Sequence, residues 1–211
     1  MSPSYILQTS FDRKWTPLAK RYSLYLYREV GWETHELHGS PVLFIPGNAG
    51  SSQQARSIAS SATRQYFEQP EQVASEFVSA EYRALDFFTV EFNEDLSAFH
   101  GTTLETEREY ASRAIDYILS LYPANTSILI LGHSMGGVVA TSLLPHHNIA
   151  AIITMSTPYT LPPARFDRRI EGIFTRSLHS LTSDPTPILS LCGGATDLME
   201  VLIDEPFSPA R

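Results

Sequence analysis

Two periodicities alternate along the 211-residue chain. Short, nearly continuous apolar runs, rich in β-branched and aromatic residues, occupy 41–45, 86–92, 127–131, 149–155 and 187–192, and such runs read as buried strands. Between them the apolar residues recur at helical spacing. Ser51 or Ser52 can cap a helix running to about Phe67. From Leu104, the stripe Ala111, Ala114, Ile115, Ile118, Leu119 and Tyr122 describes an amphipathic helix that Pro123 ends. Residues 22–28 alternate aliphatic with other side chains, which predicts a strand with two unlike faces at the sheet edge, and 31–40 reads as polar loop. Strand alternating with helix favours a mostly parallel sheet covered by helices, with the 127–131 strand near its middle.

The chemistry enters directly after that middle strand. Gly132-His133-Ser134-Met135-Gly136-Gly137 lies between the 127–131 run and the helix-compatible Val138-Val139-Ala140, so a G-x-S-x-G pattern falls where a strand turns sharply into a helix. The spacing has a steric cause: the turn holds Ser134 in a strained backbone conformation, and a side chain at 132 or 136 would strike the neighbouring helix or strand. This is the nucleophile elbow of a serine hydrolase, and it makes the expected fold class α/β: an α/β-hydrolase fold, a mostly parallel central sheet flanked by helices, the chain stopping before the last strand and helix. Ligands of such sheets bind beyond the carboxyl ends of the strands. The small-residue loop Pro46-Gly47-Asn48-Ala49-Gly50 can bring a backbone N–H to a reacting carbonyl oxygen, so Asn48 or Ala49, with Met135, is expected to form the oxyanion hole.

A serine hydroxyl needs an imidazole base and an acid to orient it. Asp197, in Gly193-Gly194-Ala195-Thr196-Asp197 after the last strand, is the expected acid; Asp167 and Asp184 are weaker rivals because both precede that strand. The base should follow the acid, and 198–211 holds no histidine. His133 lies inside the elbow, His146 and His147 follow the next helix, and His35 and His38 precede the first core strand. His100 and His179 are the internal candidates. The expectation is that the base lies beyond Arg211.

Length and a 43% hydrophobic, 18% charged composition fit one domain. It divides into 1–40 (amino-terminal strand and loop), 41–157 (core with the elbow), 158–185 (cap or excursion) and 186–211 (late strand and acid loop). Leu161, Phe166, Ile170, Ile173 and Phe174 of the third part either line an acyl-chain path or extend the core. A net charge of −8 argues against a nucleic-acid partner. Cys192, the single cysteine, reads as a buried strand thiol, and the sequence shows neither a leader-like segment nor a run of apolar residues long enough to span a membrane. Glu91, Glu94, Asp95 and His100 could suggest metal ligands, but the hydrolase mechanism needs none, so no metal or cofactor is expected. Asn125-Thr126-Ser127 is an N-glycosylation sequon, of consequence only in a lumenal protein.

Several segments, in order, resemble the amino-terminal catalytic region of the GPI inositol-deacylases of the endoplasmic reticulum. They are Ser2-Pro3-Ser4-Tyr5, Lys20-Arg21-Tyr22-Ser23-Leu24-Tyr25-Leu26-Tyr27-Arg28-Glu29, the Pro46-Gly47-Asn48-Ala49-Gly50-Ser51 loop, Phe92-Asn93-Glu94-Asp95, Phe99-His100-Gly101, the elbow, and Met155-Ser156-Thr157-Pro158. The resemblance covers nearly the whole chain. It implies a serine esterase that removes the acyl chain from the inositol of a GPI anchor, with Ser134 matching the family nucleophile and Asp197 in a segment similar to the family's Gly-Gly-x-x-Asp. It implies a GPI lipid or GPI-anchored protein as substrate, and the lumenal face of the endoplasmic reticulum membrane as its place. Two other readings are a catalytically incomplete hydrolase-fold remnant that binds lipid or a partner, and a soluble lipase or esterase of other specificity.

Overall fold

The computed structural model describes residues 3–68, 83–146, 148–159, 161–164 and 166–193. Seven strands among them form one sheet: β1 (Pro3–Leu7), β2 (Ser23–Glu29), β3 (Ser40–Ile45), β4 (Leu85–Glu91), β5 (Ile128–His133), β6 (Ile149–Met155) and β7 (Ile188–Leu191). Their order is β1-β2-β4-β3-β5-β6-β7. From β4 to β7 all neighbours run parallel, while β2 is antiparallel to both β1 and β4. The helices are α1 (Arg56–Glu68), α2 (Gly101–Ser120), α3 (Met135–Ser142) and α4 (Arg168–Ser183). Of the seven strands β5 is the third from one edge, as expected of the strand that precedes the elbow.

The two-residue period of the strands sorts their side chains between two layers. Leu43 and Ile45 of β3, Phe88 and Val90 of β4, and Ile128 and Ile130 of β5 join the larger core with α2, α3 and α4. Val42, Phe44, Phe87 and Leu131 point the other way and pack on Ala55 and on Ala59 of α1. Both faces are therefore covered, which is why these strands are apolar without interruption. All eight residues of α3 are buried, and its sequence is correspondingly apolar or small all round.

Three expectations change. The 22–28 strand is not the edge, because β1 pairs along its whole length from Pro3↔Glu29 to Leu7↔Tyr25; a five-residue strand that opens on proline leaves little periodic signal. Cys192 is exposed rather than buried, since β7 is the outermost of the described strands and three of its four residues are exposed. Ile170, Ile173 and Phe174 belong to the larger core as the inner face of α4, so they extend that core, whereas Leu161 and Phe166 are exposed.

A buried ion pair locks the amino-terminal end of the parallel strands. Arg28 of β2 meets Asp86 of β4 at 2.7 Å, with both side chains almost fully out of solvent. Arg28 also donates to the Thr34 and Glu36 carbonyls, and Asp86 accepts from the Gly39 N–H and the Tyr122 hydroxyl. Every charge-bearing group is thus hydrogen-bonded, the condition under which a buried pair is tolerated. The polar 31–39 loop is fastened by it.

Candidate active site

At the opposite end, where β3, β4, β5 and β6 finish, four loops converge. Each carries a non-glycine residue in the left-handed region: Ala49 (φ 52°) after β3, Asn93 and Glu94 (φ 55° and 57°) after β4, Ser134 (φ 53°) after β5 and Ser156 (φ 47°) after β6. Such conformations cost of order 1 kcal/mol or more each and concentrate where a site is being shaped. Ser134, at ψ −122°, joins β5 to α3, and its N–H donates to the Met155 carbonyl of β6 at 2.8 Å.

The glycines around it explain the spacing. A Cβ on Gly132 would lie 2.6 Å from the Gly137 Cα, and one on Gly136 would overlap the Ile45 carbonyl oxygen at the end of β3. The elbow therefore tolerates side chains on neither flank. Gly47 completes the arrangement: its own Cβ would come within 2.8 Å of the Ser134 Cβ and 2.9 Å of the His133 carbonyl oxygen, so the 46–50 loop passes directly against the serine.

That loop is held from the far side by the loop after β4. Ala49 N–H donates to the Asp95 carbonyl (2.9 Å), and the Asn48 side-chain oxygen accepts from Ala98 N–H (2.9 Å). Ala49 N–H is thereby committed, while Asn48 N–H is not hydrogen-bonded to another of the described residues. Met135 N–H belongs to the first turn of α3 and so has no intrahelical acceptor. Of the two amides considered beside Met135, that of Asn48 is the one not already hydrogen-bonded among the described residues.

The carboxylates near these loops are spent on structure. Glu91 accepts from the Ser52 N–H and hydroxyl and from Asn93 N–H, and Asp95 is bound by Arg21 at 2.7 Å and by the Tyr22 hydroxyl at 2.6 Å. Asp167 caps α4, accepting from Arg169 N–H and, across the site's edge, from Gly101 N–H; those two bonds hold its carboxyl below the usual range. Asp184 closes a turn onto Thr186 N–H. Neither rival aspartate approaches the elbow by a hydrogen bond, and Asp197 lies outside the described residues.

The histidines divide as follows. Among the described residues none is hydrogen-bonded to Ser134. His179 lines a hollow with Ser142 and Leu144 at the far end of α3, roughly 12 Å along the helix from Ser134, so it is out of reach. His100 is exposed at the start of α2, two residues past the Ala98 that braces Asn48. His133 points its buried Nδ1 toward Gly47 without a partner. His146 approaches Asp116 at 3.9 Å.

One residue carried a signal that periodicity alone discards. Glu107 falls on the apolar stripe of α2, between Leu104 and Ala111, and is only 2% exposed. Burial pushes its carboxyl up to about 8, with Asp95 adding to the shift and the Ser97 hydroxyl and Arg21 opposing it. It lies beneath the same 93–99 loop that braces the 46–50 loop.

A family model described as PGAP1-like alpha/beta domain matches residues 36–193. The GPI inositol-deacylase of Neurospora crassa is 50% identical over 188 residues, covering 81% of this chain and 15% of its own length. That of Chaetomium globosum is 42% identical over 227 residues, covering 93% and 20%. The chain thus spans a fifth or less of the length of these relatives. Among solved structures, the TT1662 protein of Thermus thermophilus matches with a TM-score of 0.55 at 10% identity, over 92% of this chain and 90% of that one. A ferulic acid esterase matches at 0.51 and 12% identity, over 91% and 90%. At such identities the likeness concerns the fold, which is that of the α/β hydrolases. A family model that spans most of the chain and brackets the elbow, together with relatives sharing up to half of its aligned residues, places the chain in the GPI inositol-deacylase family, as its PGAP1-like alpha/beta domain.

Proposed function

We propose that this domain hydrolyses the ester between a fatty acid and the inositol ring of a GPI anchor, with Ser134 as the nucleophile. The observation that carries the reading is the Ser134 backbone, left-handed at the strand-to-helix turn with glycines 47, 132 and 136 cleared around it. Ser134 Oγ attacks the ester carbonyl while an imidazole takes its proton; the tetrahedral oxyanion is received by the N–H groups of Met135 and Asn48. Collapse releases the inositol hydroxyl and leaves an acyl-serine, which water hydrolyses to the free fatty acid. Asp197 is the acid that would orient the imidazole. His179 stands at the far end of α3 and no described histidine is hydrogen-bonded to Ser134, which supports a base other than His179. The same reading puts the domain at the lumenal face of the endoplasmic reticulum membrane, acting on GPI lipid or a GPI-anchored protein. No helix among the described residues is long and apolar enough to cross a membrane.

The test is release of fatty acid from an inositol-acylated GPI substrate by the full-length protein and its Ser134→Ala variant, with mass spectrometry of the fluorophosphonate-treated protein. Loss of release in the variant and an adduct on Ser134 are expected. An adduct elsewhere with Ser134 unmodified, or undiminished release by the variant, overturns the reading. Folded protein that binds the lipid without turnover favours the remnant reading.

A further inference from the structure

The exposed large apolar side chains are not scattered evenly. Leu96 and Phe99 stand on the loop after β4, and Leu161 and Phe166 on the segment after β6, both at the edge where Ser134 emerges; they are 48%, 44%, 40% and 92% exposed. Phe99 and Leu96 form one turn through the Phe99 N–H and Leu96 carbonyl at 3.2 Å. That turn is pinned to Phe166's segment, because Gly101 N–H donates to Asp167 at 2.9 Å and Arg169 donates to the Thr102 hydroxyl. Two phenylalanines from sequence-distant loops therefore flank one contact, and neither is covered. A second exposed aromatic group, Trp32 and Phe67 with ring centroids 6.1 Å apart, lies where β2 and α1 end, at the opposite edge of the sheet.

We propose that the edge carrying Ser134 docks on a lipid bilayer, with Leu96, Phe99 and Phe166 entering the interface and Arg168 and Arg169 meeting anionic head groups. Charge selects the occupant. On a chain of net charge −8, the exposed arginines 168 and 169 adjoin Phe166, while Asp167 between them and that ring accepts from two backbone N–H groups, and the exposed Glu94 stands on the other loop two residues before Leu96. Aromatic side chains that enter the interface beside arginines that stay in the head-group layer are the pattern of a peripheral membrane surface. The surface is built from loop tips standing out from the fold rather than from a groove, so it suits a bilayer better than a peptide. The inference rests on the proposed function in one respect: docking by this edge presents the elbow to an ester whose acyl chains are held in the membrane.

Vesicles of phosphatidylcholine, with and without phosphatidylserine and with brominated acyl chains, test it on the 211-residue chain. The parent holds two tryptophans, Trp15 and Trp32, neither on this edge. Phe166→Trp, a change at an exposed position, places a third at the proposed insertion point. Its fluorescence is expected to shift to the blue on binding and to be quenched by the bromines well beyond the parent. Phe99→Ser with Phe166→Ser should weaken sedimentation with vesicles by roughly tenfold, and Arg168→Glu should weaken it roughly fivefold only when phosphatidylserine is present. Absence of binding, binding without a shift at position 166, or equal quenching in the parent through Trp32 overturns the proposal. Ser134→Ala should bind like the parent, so an incorrect assignment of the reaction would leave this result unaltered, and the reverse.

Discussion

Ser134 occupies a backbone conformation that glycine adopts without cost and serine does not. Its side chain is therefore kept against the interest of stability. Ser134→Gly is expected to raise stability by about 1 kcal/mol while abolishing fatty-acid release, read by thermal unfolding beside the activity assay. A melting temperature that falls would show that the turn is held by the serine rather than strained around it. Glu107 makes a second prediction, with a definite sign. The folded carboxyl titrates near 8, against an ordinary value of 4.5. Between those two values the unfolded chain is ionised while the folded chain keeps its proton, so stability declines as pH rises through that window and levels off above it. Glu107→Gln should remove this slope and be more stable than the parent at pH 8, by on the order of a few kcal/mol. Urea unfolding at pH 5 and pH 8 reads the difference; parallel pH dependences in the two proteins would contradict it. The strained turn at Ser134 was legible in the sequence because its glycines answer to steric contacts on both sides. That the Ala49 N–H is committed while the Asn48 N–H is not was illegible, since it turns on a hydrogen bond from Ala49 to Asp95, forty-six positions away along the chain.

At the scale of elements, legibility followed burial. β3, β4 and β5 are covered on both faces and β6 on one, and all four could be read as apolar runs, whereas β1 and β7 at the two margins gave weak or misleading signals. An apolar run ending in cysteine looks the same at a sheet margin as in its middle, which is why the exposure of Cys192 was not foreseen. The apolar residues of 158–185 likewise left open whether they would line a ligand path or extend the core, and the helix α4 within that segment was not read from the sequence. The Arg28–Asp86 pair joins β2 to β4 across an antiparallel seam and carries the prediction for this scale. Asp86→Ala takes the nearest counter-ion from the buried guanidinium, leaving it Glu33 at 3.9 Å and backbone carbonyls, and strands the Gly39 N–H and the Tyr122 hydroxyl; it should cost about 3–5 kcal/mol. Replacing both partners, Arg28→Met with Asp86→Leu, removes the stranded charge and should cost clearly less. Chemical denaturation of the three variants decides it, and equal losses in the single and double replacements would mean that the pair matters by shape alone.

Across the whole molecule, the parallel strands give the two edges of the sheet different work. The edge of strand beginnings is closed by the buried pair and carries Asn125, an exposed residue in the turn before β5. The edge of strand endings gathers the elbow, the strained loops and the uncovered phenylalanines. This polarity was readable from the alternation of strand and helix, which fixes where the loops after each strand must gather. Where the loops brace one another was not readable.

The bracing of 46–50 by 93–98 has a consequence for how this domain can vary. The two segments share the Ala49–Asp95 backbone bond and the bond from Ala98 N–H to the Asn48 side chain, so a version of one that alters its backbone course or lacks the Asn48 amide unfastens the other. They should vary together although forty-two residues separate them, and a chimera whose 46–50 segment lacks the Asn48 amide should lose fatty-acid release while remaining folded. The same two amides offer a gauge in the unaltered protein. Protection of Ala49 and Ala98 against hydrogen exchange should rise and fall together, since one opening exposes both, and unequal protection would show that the segments move apart independently.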